Sequence, residues 1–170
     1  MKISRSALLA SLLVFTAAAG AQQQAAQPAR PVAARPAPQQ QKLTPEQQAQ
    51  VTRQDAEITK AAAKVVQLVD TSKTGEVWDG ASKVAKNLVN RQTFVSQISA
   101  DRKKLGAPAE RKRVAVTRSA YTAGGQVPAG NYINVVYATK FANAPQPVRE
   151  LVSFHLDDDK TWRVSGYSLR

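Results

Sequence analysis

At Pro108 the hydrophobic pattern of this chain changes period, and that change constrains the fold more than any other feature. Upstream, apolar residues recur at helical spacing; downstream they alternate, as in half-buried strands. Thr44-Pro45-Glu46-Gln47 reads as a helix start, with Thr44 as cap, Pro45 at the first helical position and Gln47 completing a capping box. From there to about Asp70, Val51, Ile58, Ala62, Val65 and Val69 form one stripe, widened by Val66 and Leu68. Thr71 to Gly75 is a break. "EVWDGASKVAKNLV" reads as a second helix with Val77, Trp78, Ala81, Val84, Ala85 and Leu88 on its apolar side, weakened at Gly80. Asn90 is placed to cap a third helix, Arg91 to Leu105, that buries Phe94, Ile98 and Leu105. Gly106 ends it and Pro108 prevents its resumption.

Four alternating segments follow. The first sets Val114 and Val116 against Arg113, Ala115 and Thr117. The second sets Ile133, Val135, Tyr137 and Phe141 against Asn134, Val136 and Lys140. The third sets Val152, Phe154 and Leu156 against Ser153 and His155. In the fourth, Trp162 and Val164 are out of phase with Tyr167 and Leu169, which predicts a β-bulge or kink at the intervening Gly166. Asp157 to Lys160 reads as a tight hairpin. About three helices followed by a four-stranded antiparallel meander is an α+β layout, with a curved sheet laying its apolar face on the long first helix.

The N-terminus carries a different message. Lys2 and Arg5 precede an uncharged, mostly apolar run from Ala7 to Ala19, and Ala19-Gly20-Ala21 supplies small residues before Gln22. Residues 1–21 therefore read as a cleavable signal peptide. The apolar run is too short to span a bilayer, which takes roughly 20 residues, so no membrane span is expected once the signal is removed. Residues 22–43, rich in Pro, Gln and Ala, read as a disordered linker. Residues 44–170 are left as one domain. The chain has no cysteine, so neither a disulfide nor a cysteine-linked lipid anchor is open to it. Its net charge of +12 directs attention to anionic partners rather than to any fold or chemistry.

Taken in order, "VWDGAS", then F-x-x-x-I-x-x-x-R-x-x-L-G from Phe94 to Gly106, Y-x-x-V-x-Y-x-T-x-F from Tyr132 to Phe141, "ELVSF" and "WRVSGY" form a recognisable set. Over about residues 50–170 the chain resembles the bacterial exported family catalogued as domain of unknown function 4019. The resemblance implies a cystatin-like or nuclear-transport-factor-2-like cone of helices on a curved sheet. It brings no established activity and so no catalytic residues. Arg102, Leu105, Gly106, Trp162 and Tyr167 match its motifs, and structural roles are implied for them.

No motif assigns chemistry. His155 is the only histidine; alternation places it away from the core as a surface residue, without a positioned partner to make it a base. Asp157-Asp158-Asp159 lacks the glycine and spacing of a calcium loop and reads as a solvated turn. With one histidine and no cysteine, no zinc or other metal site is expected, and no cofactor motif is present. The basic cluster Arg102, Lys103, Lys104, Arg111, Lys112 and Arg113 is a candidate anion-binding surface, with helix-dipole complementation as the plainer alternative. It has no interleaved aromatics, so specific nucleic-acid recognition is not expected. Trp78, Tyr132, Tyr137, Trp162 and Tyr167 are candidate cavity-lining residues, or simply core.

Three functions stay open on these grounds. One is an exported, non-enzymatic binding or accessory protein of the envelope, periplasmic or secreted, contacting anionic polymers through its basic surface. Another is a small enzyme or ligand carrier using a cone-shaped cavity, with Asp70, Asp79 or Asp101 as its acid or base. The third is a structural partner that assembles through its open sheet face. Export is directly checkable: mass spectrometry of the protein recovered outside the cytoplasm should find a chain beginning at Gln22, and a chain retaining Met1 to Ala21 there would refute cleavage.

Overall fold

The computed structural model describes residues 43–170. The signal-peptide and linker expectations for residues 1–42 lie outside the described residues. Helix α1 (Pro45–Asp70) starts as its sequence dictates. Thr44 Oγ1 accepts from the Gln47 backbone N–H at 3.2 Å, and the Gln47 side chain accepts from the Thr44 N–H at 2.9 Å. Its buried stripe is Ile58, Ala62, Val65, Val66 and Val69.

The predicted second helix is two helices, so the count is four rather than three. Helix α2 (Thr74–Asp79) stops at Gly80, and α3 (Lys83–Leu88) starts under the cap of Ser82. The interruption has a physical reason. Ser82 is fully buried; its backbone N–H donates to the Val164 carbonyl at 2.8 Å while its side chain accepts from the Ala85 N–H. A continuous helix would keep that N–H for its own ladder. With the phase lost, Leu88 does not join the core and is 68% exposed. Helix α4 (Arg91–Leu105) is capped by Asn90 and ended by Gly106 at φ 78°, with Phe94 and Ile98 buried as expected but Leu105, expected to be buried, only half-buried at the helix end. Among the described residues no helix is long and apolar enough to cross a membrane.

Strands β1 (Pro108–Tyr121), β2 (Gly130–Phe141), β3 (Val148–Leu156) and β4 (Trp162–Leu169) pair antiparallel in sequence order. One face presents Ile133, Val135, Val152, Phe154 and Val164 to α1, α2 and α4, and together with Val65, Val69, Val77, Phe94 and Ile98 these fill the space between the layers. Each such aliphatic side chain contributes roughly 1.5–3 kcal/mol through burial. The other face carries Tyr132, Asn134, Val136, Leu151, Ser153 and His155.

Three register shifts set the phases, one in β4 and two in β1, the first of these between Pro108 and Glu110. In β4 the register shifts between Gly166, opposite Ser153, and Val164, opposite Phe154. The bulge expected near Gly166 is thus present, with Ser165 as the extra residue. In β1 a second shift, between Arg113 and Ala115, was not foreseen. Val114 is the extra residue and is 55% exposed, contrary to its expected inward position. One inserted residue inverts the alternation on its N-terminal side. Arg111 and Arg113 therefore lie opposite Thr139 and Tyr137, on the same face as Val116.

His155 and its neighbours also differ from expectation. The residue is on the outer face as predicted, yet only 7% exposed. Its ring meets Tyr132 edge-on, 4.9 Å between centroids, and its Nδ1 lies 2.8 Å from Asp157 Oδ1. The Asp157–Asp159 turn is not simply solvated. Asp157 is buried and also accepts from Arg163 at 3.1 Å, while Asp159 accepts two bonds from Arg163 and one from the Thr161 N–H. Arg163 holds the Asp159 carboxyl far below the usual carboxylate range. Lys160, at φ 63°, takes the left-handed position that glycine would occupy more easily.

Gly130 is required where it stands. Its φ is 140°, and a Cβ there would collide with the His155 ring at Nε2. Gly130→Ala should lose about 2 kcal/mol in urea unfolding through backbone strain and the clash. Combined with His155→Ala it should lose less than the sum of the single losses; strict additivity would show that the clash is not the cause.

Candidate functional site

Glu150 is a charged residue with no exposed surface. Its position on β3 follows from alternation with Val152 and Phe154. What makes burial tolerable is a complete set of donors. Arg111 donates Nε to Oε2 at 2.6 Å and Nη2 to Oε1 at 3.3 Å. The Thr139 hydroxyl donates to Oε2 at 2.6 Å and the Tyr167 hydroxyl to Oε1 at 2.5 Å. The other edge of Arg111 engages Asp70 at the end of α1, Nη1 to Oδ2 at 2.8 Å and Nη2 to Oδ1 at 3.0 Å. Arg102 of α4 completes the group, donating Nη2 to Asp70 Oδ1 at 2.9 Å with its guanidinium 4.5 Å over the Phe141 ring. Two carboxylates and two guanidiniums cancel in charge.

Titration in this group follows its packing. Burial by itself pulls the Arg111 guanidinium down, but its hydrogen bonds to Asp70 and Glu150 outweigh that and hold Arg111 above the ordinary arginine range. Burial, and then the adjacent Glu150 charge, push the Tyr167 hydroxyl far above the usual tyrosine range. Tyr137 shifts upward for the same two reasons, burial first.

As chemistry, the cluster is closed. Both oxygens of Glu150 and of Asp70 are engaged by arginine, and a carboxylate held in this way is a poor proton acceptor. Asp70 does border a hollow of about 320 Å³, shared with Ser72, Ser99 and Lys103. Asp79 is exposed and bound to Arg91 at 2.8 and 3.1 Å. Asp101 is exposed with Lys104 at 3.9 Å. None of the three candidate carboxylates is buried in a cavity with a free oxygen.

The predicted cavity aromatics do not converge. Trp78 donates Nε1 to the Val89 carbonyl at 3.1 Å, Tyr137 lies in the core, and Tyr167 binds Glu150. Only Tyr132 and Trp162 share a hollow, of about 360 Å³, with Gln54, Arg118 and Ile133.

The predicted basic cluster also divides. Arg102 and Arg111 are drawn inward to the carboxylates, leaving Lys103, Lys104, Lys112 and Arg113 exposed. A different group forms in its place. Lys112 lies opposite Ala138, Ala138 opposite Arg149, and Arg149 exchanges backbone hydrogen bonds of 2.7 and 2.9 Å with Arg170. Lys112, Arg149 and Arg170 thus form one row across the outer sheet face. All three are exposed, and among the described residues none is within ion-pair distance of an acidic side chain. Arg149 and Arg170 were missed because they are far from Lys112 in sequence; the phase of Arg149 with Ser153 was the available signal.

Beside that row a trough of about 540 Å³ runs along the outer face. Its floor includes Asn134, Leu151 and Ser153, with α3 on one side and the β1–β2 loop on another. Ser153 Oγ donates to Asn134 Oδ1 at 2.7 Å.

Residues 61–167 match the family described as Protein of unknown function (DUF4019). No curated protein matches the chain, and no solved structure does.

The closed cluster makes a direct prediction. Glu150→Gln keeps the shape but removes the charge opposite Arg111, and should lose about 3 kcal/mol in urea unfolding. Glu150→Leu with Arg111→Met should lose less than the two single changes added, since neither charge is then stranded. A near-neutral Glu150→Gln would show that the pair does not hold the layers together.

Proposed function

Because the chain belongs to the DUF4019 family of proteins of unknown function, whose description carries no activity, we propose from its own residues that it is an exported, non-enzymatic binding protein. In this reading its outer sheet face engages anionic polymers of the cell envelope. The observation that carries the reading is the row Lys112, Arg149 and Arg170. Three strand gaps of about 4.8 Å spread it over roughly 14 Å, a linear array suited to the repeating charges of a polyanion. The interior supports the same reading at Glu150 and Asp70, whose oxygens are all engaged by arginine. Kinship with cystatin-like or nuclear-transport-factor-2-like folds is part of the proposal, supported by the order of helices followed by an antiparallel meander.

Each basic residue close to an anionic surface contributes about 1 kcal/mol. Replacing Lys112, Arg149 and Arg170 by Gln should therefore weaken binding to lipopolysaccharide or teichoic acid by about a hundredfold and flatten its salt dependence. The control replaces Arg53, Lys60 and Lys64 on the exposed side of α1, an equal change in net charge. Equal losses in the two triple variants, or binding indifferent to salt, would refute the outer face as the site.

A further inference from the structure

We propose that the trough beside the basic row binds a single-chain amphiphile with a phosphate head, the head on Arg149 and Arg170 and the alkyl chain in the trough. The inference rests on the reading of the outer face as the binding face and names a ligand class for it.

The first observation is where the exposed apolar surface lies. Among the described residues the large apolar side chains left most exposed are Leu43, Leu88, Val114, Tyr121 and Val127. Three of them, Leu88, Tyr121 and Val127, rim this one trough. They come from α3, the end of β1 and the β1–β2 loop, so no single amphipathic element explains their meeting. Exposed apolar side chains scattered singly need no explanation, but a contiguous group with polar surroundings marks a binding surface.

The second observation is charge. Arg170 borders the trough, Arg149 and Lys112 continue the row from it, and no acidic side chain lines the trough. One end is therefore cationic and the rest apolar or neutral. Two neighbouring guanidiniums match the several oxygens of a phosphate better than a lone carboxylate.

The third observation is size and shape. A volume of about 540 Å³ falls in the range of small-molecule sites. Residues of α3 and of the β1–β2 loop line the trough above its sheet floor, which favours a slender chain over a flat protein surface. From Leu151 to the level of Tyr132, which pairs with His155, the floor extends four residues, roughly 13 Å along the strand, enough to lay an alkyl chain lengthwise. Asn134, Leu151 and Ser153 are already paired in the ladder, so an apolar chain strands no backbone group of theirs.

The test is titration calorimetry of the full mature chain with dodecyl phosphate below its micellar concentration. One molecule should bind per chain. Inorganic phosphate, which lacks the chain, and dodecyl maltoside, which lacks the charge, should each bind at least about tenfold more weakly. Leu88→Gln with Val127→Gln alters only exposed side chains and leaves the net charge unchanged, so the fold should persist, as a thermal melt can check. It should reduce dodecyl phosphate binding by at least about tenfold while leaving polyanion binding through the basic row in place. Arg149→Gln with Arg170→Gln should weaken both. Absent or non-saturable binding, equal binding of dodecyl maltoside, indifference to the Leu88 and Val127 changes, or binding only to phosphatidylglycerol vesicles would each overturn the inference. If polyanion binding survives such a result, the trough inference alone falls. If both bindings are missing, the outer-face reading falls with it.

Discussion

Glu150 has no contact with solvent, and four hydrogen bonds converge on its carboxylate from Arg111, Thr139 and Tyr167. The partners come from β1, β2 and β4, and Arg111 carries the link onward to Asp70 on α1 and through it to Arg102 on α4. An unpaired charge at this depth would cost several kcal/mol. The strands and the two longer helices must therefore stand in one relative position for the two carboxylates to be satisfied. Apolar packing supplies most of the stability, since it is tolerant of small slips. The ion cluster is not tolerant in that way, and it fixes register and helix placement without a disulfide, in a chain that has no cysteine.

That arrangement bears on the proposed binding face. Arg102 and Arg111 are drawn into the interior, and aliphatic and aromatic side chains pack between helices and sheet. On the opposite side, the outer sheet face joins a row of basic side chains to a partly apolar trough. Both depend on the bulges. The β1 bulge turns Arg111 inward, and it keeps Lys112 on the face that carries Ala138 and Arg149. The β4 bulge places Ser165 and Gly166 along the trough.

Much of the fold was legible in the residues. The capping box at Thr44, the cap at Asn90, the stop at Gly106 and the alternation of β2 and β3 are local signals, settled within a few residues of the position concerned. The bulge near Gly166 was legible because the alternation itself loses phase there. The break at Gly80–Ser82 was not, because its cause is a hydrogen bond to β4, more than eighty residues away. Nor was the bulge at Val114, since a run of Arg, Lys, Val and Ala alternates acceptably in either phase. His155 was placed on the correct face but not as a buried residue, because what covers it comes from Tyr132 and Gly130 on another strand.

The sequence alone determined the class of the fold, the order of helices before strands, and the family pattern confirmed over residues 61–167. These follow from hydrophobic period and capping, which act between near neighbours. The tertiary structure alone decided which charges are internal and which are free. Arg102 and Arg111 look like Lys103 and Lys112 in a list of basic residues, but they lie within reach of Asp70 and Glu150. Arg149 and Arg170, unremarkable in sequence, share a row with Lys112 only because strand register carries them there. Electrostatic partnership depends on distance in space, and for residues dozens of positions apart that distance is set by the sheet register and the bulges that shift it.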